Sequence, residues 1–158
     1  MELFALIELK IYTDGGCHGN PGPGGWAYRV VDGDNALVSL DAGFAAATTN
    51  NRMELTAVIA ALRSVRSLDH GHSFVVVTDS EYVRKGITEW IERWRLNGWR
   101  TTAKKPVKNE DLWKTLDALA RETGPRWEWV KGHAGDEHNE ACDRAVQEQI
   151  LLGTQAGR

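Results

Sequence analysis

Two apolar runs in this chain stop in the same way: Ile11-Tyr12-Thr13-Asp14-Gly15-Gly16 and Val76-Val77-Thr78-Asp79-Ser80-Glu81 each pass into Thr-Asp and then a small residue. Ile7, Leu9 and Ile11 alternate with polar residues, which marks a strand ending near Thr13. Residues 74–78 are continuously apolar up to the Thr, as expected of a strand covered on both faces. If the two strands are parallel neighbours, Asp14 and Asp79 stand side by side at their carboxyl ends, where open α/β sheets place their sites. Carboxylates that close repel unless a proton or a cation lies between them, and a hard divalent cation with oxygen ligands meets that need. Either Asp alone reads first as a turn former or a helix cap. Only the repetition makes a site of them.

The rest of the pattern supplies the frame. Residues 26–31 and 37–44 read as strands joined by the turn Asp32-Gly33-Asp34-Asn35. Thr49 and Asn50 are good caps for a helix to about Leu68, with Val58, Ala61, Leu62 and Val65 as its apolar stripe. Ser80 caps a short helix that is expected to stop near Gly86, and Thr88 starts another through Leu96, with Gly98 as its terminator. Asn109 begins a helix carrying Leu112, Trp113, Leu116 and Leu119. A strand over 126–131 and a helix over 139–152 close the chain. The order βββ-α-β-ααα-β-α predicts an α/β fold, a mixed sheet with helices packed on it, in one domain spanning residues 1–158.

Net charge is −3, yet residues 84–108 carry eight Lys or Arg against Glu89 and Glu92, a local charge of +6 that leaves −9 elsewhere. That asymmetry points to a polyanion held at one place. Trp90, Trp94 and Trp99 lie in the same segment. Trp90 and Trp94, four apart, share a helix face, and aromatics interleaved with cations suit a nucleic-acid backbone. A small satellite core accounts for part of their area equally well. The apolar start is too short, and flanked by the acids Glu2 and Glu8, to be a signal peptide, and no run approaches a membrane span. Cys17 and Cys142 match no zinc spacing and read as reduced thiols of a cytoplasmic protein.

Other candidates are weaker singly. Glu54, in the first turn of its helix, reads as a capping or dipole partner, and Asp143 as a solvated helix charge. His133, between glycines in Gly132-His133-Ala134-Gly135, has the chemistry of a proton shuttle but is by default an inert loop residue. Residues 15–25 hold six glycines and read as a long loop whose amides could approach a phosphate or sugar.

Taken together, Tyr-Thr-Asp-Gly-Gly-Cys at 12–17, Gly-Asn-Pro-Gly-Pro-Gly-Gly at 19–25, Thr-Thr-Asn-Asn-Arg-Met-Glu-Leu at 48–55, Thr-Asp-Ser at 78–80, the stretch from Trp99 to Trp113 with Lys-Lys-Pro-Val-Lys-Asn, and Trp-Glu-Trp-Val-Lys-Gly-His-Ala-Gly at 127–135 resemble the type 1 ribonuclease H family of bacteria. The resemblance covers roughly residues 7 to 150 in order. It implies the ribonuclease H-like fold, a five-stranded mixed sheet flanked by helices. It implies hydrolysis of the RNA strand of RNA–DNA hybrids by a two-metal mechanism, with 5′-phosphate and 3′-hydroxyl products. It implies a site for Mg²⁺, with Mn²⁺ substituting, built from Asp14, Glu54, Asp79 and Asp143 and assisted by His133. The family's hybrid contacts fall on Cys17, Asn20, Thr49, Asn50 and Asn51, and its basic protrusion on Trp90, Lys104, Lys105 and Lys108. The chain is expected to act as a monomer, without a membrane. A hybrid-binding module that keeps the fold but not the reaction is the alternative. One departure stands out: Glu81 follows Thr-Asp-Ser where the bacterial pattern has Gln, and an ionised Glu can only accept hydrogen bonds.

Overall fold

The computed structural model describes residues 7–68, 71–131 and 136–157. Five strands form one sheet in the order β3-β2-β1-β4-β5. Strands β1 (Ile7–Cys17), β2 (Gly22–Val31) and β3 (Leu37–Thr48) pair antiparallel as a meander, as their short connections dictate. Strand β4 (His72–Thr78) pairs parallel with β1, and β5 (Arg126–Trp129) parallel with β4. Helix α1 (Asn50–Val65) makes the crossover from the meander to β4. Its cap is Thr49, whose hydroxyl accepts a hydrogen bond from the Arg52 amide.

The sheet separates two apolar layers. Leu9, Ile11, Val30, Phe74 and Val76 face α1 and the helix α4 (Glu110–Thr123), whose Trp113 and Leu116 are fully buried. The alternate residues Tyr12, Ala27, Val31, Val75 and Val77 face α5 (Glu137–Ala156) through Cys142, Val146 and Ile150. This alternation is the two-residue period of a strand covered on both sides. Among the described residues, no helix is long and apolar enough to cross a membrane.

The helical region after β4 departs from the sequence reading. Helix α2 (Glu81–Lys85), capped by Ser80, does not stop at Gly86. It continues through a π-helical turn, Gly86–Trp90, into α3 (Ile91–Leu96). Gly86 has ordinary right-handed helical torsions. It is glycine because the Trp113 indole lies where its Cβ would be, so the residue serves close packing rather than termination. The glycine-rich segment departs too, since most of it is strand: β1 runs to Cys17 and β2 begins at Gly22. Smaller corrections lie at the ends. Helix α1 stops at Val65, β5 at Trp129, and α5 starts at Glu137 behind the cap Asp136, whose carboxylate accepts from the His138 and Asn139 amides.

Candidate active site

The register of β1 on β4 pairs Ile11 with Val76 and Tyr12 with Val77. Two steps further, Asp14 stands beside Asp79 at the carboxyl edge, as the repeated strand ending predicts. Glu54 joins them from α1. The reason is local: a Cβ on Gly15 would overlap the Met53 carbonyl and stand 2.6 Å from the Glu54 nitrogen. The bare backbone at Gly15 therefore lets α1 lie directly on the end of β1. Oxygens of Asp14, Glu54 and Asp79 come within 4.8 Å of one another.

A cavity of about 410 Å³ opens over this trio. Asp143 of α5 lines it, outside the tight trio, and so do Asn50, Asn51 and Glu81. The Oε2 of Glu54 is shielded from solvent and has no hydrogen-bond partner. Burial first, then the charges of Asp14 and Asp79, push the Glu54 carboxyl well above the usual carboxylate range. An orphaned, shielded carboxylate oxygen among oxygen donors fits a hard cation, which would supply the missing partner.

The linkage has a definite sign. In the unfolded chain Glu54 titrates near its ordinary 4.5, and in the folded, metal-free chain it titrates higher. The unfolded state gives up its proton first, so this group lowers stability as the pH rises between the two values. Glu54→Gln is therefore expected to melt above the parent protein in chelator at neutral pH. The gap should close as the pH falls to about 4, and Mg²⁺ should narrow it at neutral pH. A gap independent of both pH and Mg²⁺ would assign the effect to something other than the crowded charge.

The other candidates separate into two places. Cys17, Asn20 and Asn50 form one hydrogen-bonded patch beside the carboxylates. The Cys17 amide donates to Asn50 Oδ1 at 2.8 Å, and the Asn50 amide donates to Asn20 Oδ1 at 3.2 Å. Thr49 caps the helix that carries Asn50, Asn51 and Glu54. Trp90, Lys104, Lys105 and Lys108 lie apart from the carboxylate cavity. Trp90 and Trp94 line another groove with Val107, Lys108 and Tyr82, the last of which also lines the carboxylate cavity. The satellite-core reading holds for Trp94, which packs against the buried Trp113 at a ring distance of 5.4 Å. His133 lies outside the described residues.

Sequence reasoning missed the supports of the site. The Tyr82 hydroxyl oxygen accepts from Trp113 Nε1 at 2.8 Å and from Asn109 Nδ2 at 3.0 Å, fixing the helix after Asp79 to α4. Arg52, two residues before Glu54, makes a paired contact to Asp111 at 3.0 and 2.8 Å. Neither partner is close in sequence, so no local signal could have shown these ties. The Cys142 thiol, donating toward the Tyr12 carbonyl, is buried and pushed up to about 12, which makes it inert.

Known proteins resemble the chain throughout. The RNase H family model matches residues 7–151. A Ribonuclease H of Treponema pallidum subsp. pallidum is 54% identical over 166 residues, covering 96% of each chain. One of Verminephrobacter eiseniae is 54% identical over 157 residues, covering 96% of this chain and 98% of its own. Among solved structures, LC9-RNase H1, a type 1 RNase H with the type 2 active-site motif, is 30% identical with a TM-score of 0.81, covering 95% of this chain and 75% of that one. LC11-RNase H1 in complex with RNA/DNA hybrid, 24% identical with a TM-score of 0.71 over 92% of this chain and 99% of that one, shares the fold. With the sheet order, the acidic trio and these matches in agreement, the chain belongs to the bacterial ribonuclease H family and is a ribonuclease H enzyme.

Proposed function

We propose that this enzyme hydrolyses the RNA strand of RNA–DNA hybrids at the carboxylate cavity, by a two-metal mechanism that leaves 5′-phosphate and 3′-hydroxyl ends. The observation that carries the reading is the approach of Asp14, Glu54 and Asp79 within 4.8 Å, with Asp143 lining the same cavity. These four carboxylates would hold Mg²⁺, or Mn²⁺ in its place. Bound there, the ions supply Lewis-acid chemistry: a more acidic attacking water and charge stabilisation at the leaving 3′ oxygen.

The chain's own residues do the rest. Asp14 and Asp79 extend from paired strands and Glu54 from a helix packed on them, so the donors are held by rigid elements. Asn50 and Asn51, which line the cavity, and Cys17 and Asn20, hydrogen-bonded to Asn50, are assigned to the hybrid, with 2′-hydroxyl contacts selecting the RNA strand. Thr49 and the protrusion bearing Trp90, Lys104, Lys105 and Lys108 are assigned to the DNA strand through its phosphates. His133 is assigned to assist by shuttling protons near neutral pH. The reading needs no partner subunit and places the work in the cytoplasm.

Cleavage is expected to disappear in chelator and return with Mg²⁺ or Mn²⁺. Mg²⁺ should also raise the melting temperature of the parent protein more than that of Glu54→Gln. Full cleavage in chelator would overturn the metal-dependent reading.

A further inference from the structure

The cavity beside the site, on the other side of Asp79, has a chemistry of its own. About 290 Å³ in volume, it is enclosed by the end of β4, the start of α2 and the end of β5. It shares Asp79, Ser80 and Glu81 with the acidic cavity, so the two are contiguous. Their described linings differ in charge, because the neighbour sets two cations against the shared Asp79 and Glu81. The acidic cavity includes no Lys or Arg, whereas its neighbour includes Arg84 and Lys131, with Trp129 as part of its wall. The ion pairs among the described residues are Arg52–Asp111, Arg95–Asp117, Lys114–Glu110 and Arg126–Glu8, and neither Arg84 nor Lys131 enters one of them.

We propose that Arg84 and Lys131 hold a phosphate of the RNA strand close to the one being cut. The inference rests on the proposed hybrid cleavage. A polyanion entering a cavity lined by carboxylates is repelled at every phosphate not met by a cation. The strand whose phosphate reaches Asp79 must carry its next phosphates along these contiguous cavities, and these two cations lie there. Lys131 lies outside the basic segment and Arg84 at its first position, and the cavity they line shares no residue with the groove that Lys108 lines. They are thus a contact to the cut strand, separate from the protrusion's contact to the DNA. Arginine and lysine suit this task because both stay charged at neutral pH, and the guanidinium can grip two phosphate oxygens at once.

The test is a chemical interference experiment on full-length protein. Hybrids carry one neutral methylphosphonate at each of the three phosphates on either side of the cut, in the RNA or in the DNA strand. Affinity in chelator and KM and kcat with Mg²⁺ are measured for the parent and for Arg84→Gln/Lys131→Gln. The parent should lose roughly tenfold in affinity at one or two adjacent RNA-strand positions on one side of the cut. The double variant should start with that loss, show no further penalty at those positions, and keep its kcat. Its log–log salt slope should be shallower by about 0.7–0.9 for each phosphate that loses its contact. A penalty that persists in the double variant, or that lies in the DNA strand, overturns the assignment. A parent that binds with this pattern but leaves the RNA uncut supports the phosphate contact and overturns the nuclease reading instead.

Discussion

Asp79→Asn is expected to abolish cleavage while leaving a folded protein that still binds hybrid. The substitution keeps size and shape and removes one negative charge from a cluster in which three carboxylates lie within 4.8 Å. If that cluster holds the ions that stabilise developing charge, the rate should fall by about a thousandfold or more. The metal-free melting temperature should stay level or rise, because one of three mutually repelling charges is gone. Hybrid affinity in chelator should hold, since the binding assigned to the Asn50 patch and the basic protrusion is untouched. Rate, affinity and melting temperature need to come from one preparation. Near-normal cutting would remove Asp79 from the site, and a mutant that fails only by unfolding would make it a structural strand-end residue.

Gly15→Ala should damage both fold and site although no functional side chain changes. Gly15 has no left-handed torsion to lose, unlike Gly19, Gly98 and Gly124, so the added methyl acts by contact alone. That contact is with backbone at Met53 and Glu54, which cannot swing aside as a side chain can. Overpacking of this kind costs about 1–3 kcal/mol. The only relief is for α1 to move off β1, and it takes Glu54 away from Asp14 as it goes. A shift of about 1 Å in a catalytic group can cost about a hundredfold in rate. The expected result is a lower melting temperature with a fall in kcat larger than the change in hybrid affinity. Normal stability and rate would show that the close approach at Gly15 does not set the position of Glu54.

Asp14 and Asp79 were legible in the sequence because strand periodicity and strand ending are local properties that repeat visibly. Their adjacency then needed only a parallel pairing, which the crossover by α1 provides. Glu54 was a different case. Its place in a helix's first turn has an ordinary explanation, and what brings it to the aspartates is a glycine contact 39 positions away. Its candidacy came from the family resemblance, not from its surroundings. The misreadings share that cause. Gly86 reads locally as a helix stop, but its missing side chain makes room for Trp113, 27 residues on. The glycines at 22, 24 and 25 read as a loop, yet they lie in strand where a Cβ would strike His18, Thr48 or the backbone of α5. Glycine signals conformational freedom or close approach, and only tertiary structure tells which.

On the proposed function, the carboxylate cavity directs hydrolysis to RNA paired with DNA. This is tested most directly by incubating the protein with Mg²⁺ and one sequence prepared as RNA–DNA hybrid, double-stranded RNA and double-stranded DNA, each strand labelled separately. Internal cuts are expected in the RNA strand of the hybrid alone, bearing 5′-phosphate and 3′-hydroxyl ends, and none with Asp79→Asn. Cutting of the hybrid's DNA strand, equal cutting of the other duplexes, or cleavage that survives Asp79→Asn would contradict the proposed function.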